Sequence, residues 1–173
     1  YHDPAAALRH LEALTAGVSR TAAIQRALLP ALLDWFADAP DPDAGLLGFR
    51  RISESLGTTP WYLRTLRDEG EVAHRLARLL ATSRYATDLL QREPEGVRIL
   101  GHDLAPLSAE TLTTEMLASA GRHDDLAGAV RAIRGVRRRE LFRISAGELL
   151  EVNDVDTVGA ALSRLTDATL EAT

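Results

Sequence analysis

Apolar residues along this chain recur every third or fourth position and almost never every second one, which is the spacing of helices buried on one face. Asp3-Pro4 supplies an N-cap and a first-turn proline. Ala7, Leu8, Leu11 and Leu14 then share a face as far as Gly17, with His10 beside it as a packing or surface residue. From Thr21 to Ala37, Ile24, Leu28, Leu29, Leu32, Leu33, Trp35 and Phe36 cover most of a helical circumference. This segment is expected to be central and buried, and Pro30 to kink or split it. Ala39 to Ala44 sets two prolines among acidic residues and reads as loop. Leu46 to Leu56 resumes a helix that Gly57 stops. Thr59-Pro60 opens the next segment, anchored by Trp61, Leu63 and Leu66.

Glu71 to Gln91 reads as one long amphipathic helix with the stripe Val72, Leu76, Leu79, Ser83, Ala86 and Leu90. The small Ser83 and Ala86 would let a partner helix approach closely. Pro94 breaks it, Val97 to Leu100 is a short apolar piece, and Gly101 to Pro106 is loop. Ser108 caps a helix through Ala120, and Gly121 to Asp125 connects it to a helix over Leu126–Ile144. Ser145 begins a further short turn to Leu150. Asn153 or Asp154 caps the last helix, whose buried side is Val158, Leu162, Leu165 and Leu170. The pattern predicts an all-α helical bundle of about eight to ten helices with short loops and no sheet. The 173 residues suffice for one helical domain, with 1–57 and 58–173 as an internal division into sub-bundles.

Leu126–Ile144 is the stretch whose charge changes the picture, because its nineteen residues hold six of the twenty arginines. Leu126, Val130, Ile133, Leu141 and Ile144 fall on one side, with Arg137 among them. Arg131, Arg134 and Arg138 line up alongside, and Arg139 and Arg143 point away. A guanidinium keeps its charge, so Arg137 must meet a carboxylate, stack, or reach water along its stem. Two readings fit this cationic shoulder. It is a solvated charged face with one internally paired arginine, or an interface for something acidic formed by Arg131, Arg134, Arg137 and Arg138.

Composition narrows the function classes. Hydrophobic residues are 46% and aromatics only 5%, which favours helix over strand. The net charge of −5 argues against a general nucleic-acid binder. All twenty basic residues are arginine and there is no cysteine, so disulfides, thiolate zinc sites and cysteine catalysis are excluded. No signal peptide opens the chain and no apolar run is long enough for a membrane span, so a cytoplasmic location is expected. The chain starts at Tyr1, inside a helical pattern, as a piece of a longer polypeptide would.

The motifs that could carry chemistry are few. Asp154-Val-Asp156 has the spacing of a magnesium-holding pair, but it opens a helix with no strand or glycine loop before it, which is the place of capping carboxylates. The five histidines show no metal-ligand spacing, and the serines lack a nucleophile-elbow context. No catalytic, cofactor or metal residue is assigned.

The chain resembles the helical region of bacterial glutamine synthetase adenylyltransferases that precedes their second nucleotidyltransferase domain. The resemblance rests on Gln25-Arg-Ala-Leu-Leu-Pro-Ala-Leu-Leu33, Pro60-Trp-Tyr-Leu63, and Ser83 followed by Leu89-Leu90 and Pro94. It continues in Arg137-Arg-Arg-Glu-Leu-Phe-Arg-Ile144 and Leu162-Ser-Arg-Leu-Thr-Asp-Ala168, in the family's order. A similar pattern precedes the first catalytic domain as well, and Leu8-Arg-His-Leu11 with Pro30 favours the central position. The resemblance implies an enzyme that moves AMP from ATP to a tyrosine of glutamine synthetase and removes it by phosphorolysis. It implies ATP and magnesium as cofactors of the full enzyme, and control by glutamine and a PII-type signalling protein. The family's glycine turn and paired aspartates are not among these residues, so the implied role is a non-catalytic linker or scaffold, inactive alone, that packs on the adjoining nucleotidyltransferase domain. Two other readings stand beside it: arginines that meet ATP phosphates, and an unrelated helical adaptor that binds an acidic or helical partner.

Overall fold

The computed structural model describes residues 1–57 and 59–173. Among these residues the chain forms nine α-helices and one 3-10 segment, with no strand, the all-α class that the spacing predicts. The helices are α1 (Pro4–Thr15), α2 (Arg20–Ala37), α3 (Pro42–Leu56), α4 (Pro60–Asp68), α5 (Gly70–Thr82), α6 (Arg84–Arg92), α7 (Ala109–Ala120), α8 (Leu126–Leu149) and α9 (Val155–Ala172), and the 3-10 segment is Pro94–Gly101. They close into two compact units, Tyr1–His102 and Asp103–Thr173. The division expected after Gly57 is therefore displaced. α3 packs on α5 and α6, beyond that turn, so the chain on both sides of it shares one core. Thr58, where the second sub-bundle was expected to start, lies outside the described residues.

In the first unit the hub is α5, which packs on α2, α3, α4, α6 and the 3-10 segment. Its buried residues are Val72, Ala73, Leu76, Ala77, Leu79, Leu80 and Ala81, and the alanines let neighbours approach on several sides. The helix expected to be central, α2, buries only Ala22, Gln25, Leu29, Leu32 and Phe36 and leaves its other side half-buried or exposed. Pro30 lies on its exposed side and does not split it, since water can satisfy the carbonyl that loses its partner there. Gly45 of α3 allows a close approach between helices, because a Cβ there would stand 2.6 Å from Phe36 Cδ1 and 2.8 Å from Ala81 Cβ. Tyr62 and Ser53 share a buried hydroxyl hydrogen bond of 3.0 Å. His10 sits half-buried with Nδ1 3.0 Å from Arg50 Nη1, and burial together with Arg50 and Arg9 lowers its pKa, so the neutral ring accepts from the guanidinium.

The long helix expected over Glu71–Gln91 is two helices. Ser83 takes an extended conformation that ends α5 and starts α6, and its Oγ accepts from Ala86 N–H.

In the second unit α7, α8 and α9 all pack on one another. α8 does not end at Ile144 but runs to Leu149. It closes where Glu151 adopts φ 61°, with Val152 N–H donating to Gly147 O at 2.8 Å and Glu151 N–H to Glu148 O at 2.9 Å. This is the Schellman pattern with glutamate in the place usually held by glycine. α9 also departs from expectation. It buries Val158, Ala161, Leu165 and Ala168, while Leu162 and Leu170 face outward.

Candidate interface on the arginine helix

α8 begins at Asp125, whose Oδ1 accepts from Gly128 N–H at 2.7 Å, so the charged cap favours the helix dipole as well as satisfying a free donor. Its buried residues include Ile133, Val136, Glu140, Leu141, Phe142 and Ile144. The predicted stripe holds for Ile133, Leu141 and Ile144. It fails for Leu126, which is 80% exposed.

The predicted shoulder is at the surface. Arg131, Arg134 and Arg137 are exposed, and Arg138 is half-buried and partnered. Arg131 Nε donates to the Ala127 carbonyl of its own helix. Among the described residues, Arg134 and Arg137 have no ion pair. Arg137, expected within the apolar stripe, is thus carried out to the surface along its stem. Arg139 and Arg143, which the spacing turns away from the stripe, pair with acids inside the unit. Arg139 Nη2 donates to Glu115 Oε1 of α7 at 2.6 Å.

Arg143 Nε donates to Glu140 Oε2 at 3.1 Å and its Nη1 to the Asp103 carbonyl at 2.8 Å. Glu140 is only 2% exposed and also accepts from Leu107 N–H at 2.8 Å. Burial pushes its carboxyl above the ordinary range, against the pull of the Leu107 N–H and Arg143. This latch ties residues 103–107 to α8. The sequence signal for it was a glutamate at a core position of the wheel, three residues before an arginine.

Asp154 Oδ1 accepts from Thr157 N–H at 2.8 Å and caps α9, and its hydrogen bonds to Thr157 lower its pKa. Asp156 follows in the first turn, so both aspartates serve the helix start. Among the described residues no three His, Cys, Asp or Glu side chains are grouped to hold a metal, and no helix is long and apolar enough to cross a membrane. A cavity of about 490 Å³ opens in the first unit beside Asp41, Asp43, Arg51, Leu80, Arg84 and Thr87. Asp41 there caps α3 and accepts from Arg84.

The model of the glutamate-ammonia ligase adenylyltransferase family matches residues 73–173, more than half of the chain and the whole of the second unit. The bifunctional glutamine synthetase adenylyltransferase/adenylyl-removing enzyme of Cutibacterium acnes is 57% identical over 173 residues, covering 99% of this chain and 18% of that protein. The enzymes of the same description from Streptomyces coelicolor and Mycolicibacterium smegmatis are 55% and 45% identical, covering 100% and 99% of the chain and 19% and 18% of their own lengths. The chain thus spans about a fifth of the length of these relatives. No solved structure matches it. A match that runs through the arginine helix, with the same description along the whole chain in relative after relative, leaves one conclusion: the chain belongs to the glutamate-ammonia ligase adenylyltransferase family.

Proposed function

We propose that this chain is a non-catalytic helical scaffold of a bifunctional adenylyltransferase, and that α8 contacts an acidic surface of the adjoining nucleotidyltransferase domain. The full enzyme, working in the cytoplasm with ATP and magnesium, would move AMP to a tyrosine of glutamine synthetase and remove it by phosphorolysis. Glutamine and a PII-type protein would set the balance between the two reactions. The observation that carries the scaffold reading is the split of charge on α8. Arg139 and Arg143 serve the second unit internally, whereas Arg131, Arg134 and Arg137 are exposed and the last two lack an acid partner among the described residues. Guanidinium groups in that position suit a carboxylate-bearing surface, where each charge-assisted contact contributes about 1.5–3 kcal/mol when desolvated.

The test is Arg134→Glu with Arg137→Glu in the full-length enzyme, assayed for adenylyl transfer to glutamine synthetase. We expect a loss of tenfold or more, because even one such contact of about 1.5 kcal/mol corresponds to tenfold. The melting temperature of the 173-residue chain should not change, since both side chains are exposed. Unchanged transfer and unchanged regulation reject the interface.

A further inference from the structure

Of the side that the spacing assigns to the core of the last helix, Val158 and Leu165 are buried, whereas Ala161 and Ala168 replace Leu162 and Leu170. α9 packs through Val158, Ala161, Leu165 and Ala168. On another side of the same helix, Val155, Leu162 and Leu170 stand 77%, 42% and 72% exposed. Gly159 and Thr166 fall between them, so the spacing along this side is four, three, four and four residues. That is the spacing along which one helix can pack on another. The bulky positions alternate with small ones, and a Cβ at Gly159 would meet nothing within 4 Å, so the surface has hollows as well as ridges. The seam is roughly 22 Å long at 1.5 Å per residue. Beside it runs an acidic row of Asp156, Asp167 and Glu171, all exposed.

We propose that this seam seats a helix from the part of the adenylyltransferase polypeptide lying outside these 173 residues, one with an apolar stripe flanked by basic side chains. The inference rests on the reading of the chain as one element of that enzyme. Its occupant follows from two observations. The chain amounts to 18% of the length of its relatives, so most of the covalently tethered surface lies elsewhere, at an effective concentration that free partners rarely match. The acidic row, in turn, calls for a basic flank on whatever covers the leucines.

The experiment is thiol labelling. The chain has no cysteine, so Leu162→Cys and, separately, Thr166→Cys place one probe each on the seam at exposed positions where substitution leaves the core intact. Alkylation is followed by mass spectrometry of the α9 peptide, in the 173-residue chain and in the full-length enzyme, with each rate referred to the denatured protein. In the 173-residue chain both thiols should react at close to the denatured rate at every protein concentration. In the full-length enzyme both should react at least tenfold more slowly, again independently of concentration. Full reactivity in the full-length enzyme overturns the proposal. So does protection that grows with concentration in either protein, which would assign the seam to a second copy. Concentration-independent protection already present in the 173-residue chain also overturns it. Unprotected thiols together with a lost activity in the Arg134/Arg137 reversal would remove the seam alone. Protected thiols with an active reversal would remove only the arginine interface.

Discussion

Glu140 shows how far one residue can diverge from its apparent role. Along the sequence it is an acid at the end of a basic run. In the fold it is a buried acceptor that satisfies Leu107 N–H and holds Arg143 over the entry segment. Glu140→Ala leaves the half-buried Leu107 N–H without its acceptor and is expected to destabilise the chain by about 1–3 kcal/mol in urea unfolding. Glu140→Gln retains an acceptor and should cost less. Burial raises the Glu140 carboxyl above its ordinary value of 4.5, so the folded state binds that proton more tightly than the unfolded state does. Its contribution to stability is therefore fully present below 4.5 and declines as pH rises through the raised folded value. The slope of stability against pH just above 4.5 should be shallower in the Gln variant. An equal slope in both proteins would show that Glu140 does not titrate with folding. Only the position of Glu140 on the buried side was legible in the sequence. Its partners were not, because Leu107 lies thirty-three residues away.

Helix ends carried most of the differences at the scale of elements. Apolar periodicity runs unbroken through Ser83, so the stripe from Val72 to Leu90 reads as continuous although the backbone turns there. A serine that serves as a cap looks like a small core residue until its Oγ is seen to accept from Ala86 N–H. Ser83→Ala should cost about 1 kcal/mol through the lost cap, measured as a lower urea midpoint with an unchanged m-value. A variant as stable as the parent would mean that the hydroxyl contributes nothing to the break. The end of α8 was hidden for a related reason. Glycine is the usual sign of a left-handed cap, and here Glu151 occupies it.

For the molecule as a whole, each unit closes a core of its own. Gly45→Ala would force a methyl against Phe36 and Ala81 in the first unit, an overpacking that costs about 1–3 kcal/mol. Hydrogen exchange should then quicken in α2, α3 and α5, and the Glu140→Ala change should quicken it in α7, α8 and α9. Loss of protection in both units from either single substitution would refute the division at His102. That boundary escaped the sequence reading because Gly57 and Pro60 look like a stronger interruption than Gly101 to Pro106 does. The interruption is local, however, and the contacts between α3 and α5 bridge it.

By itself the sequence determined the helical class, most helix starts and the family, because each rests on short-range spacing, capping chemistry or residue order. Tertiary structure alone decided which helix is the hub, which arginines are spent on internal pairs, and which side of α9 is buried. An amphipathic pattern says that a helix has an apolar side. On α9, Leu165 shares an arc with Ala161 and Ala168 while Leu162 and Leu170 stand on another, and only the neighbour that comes close enough selects between the two.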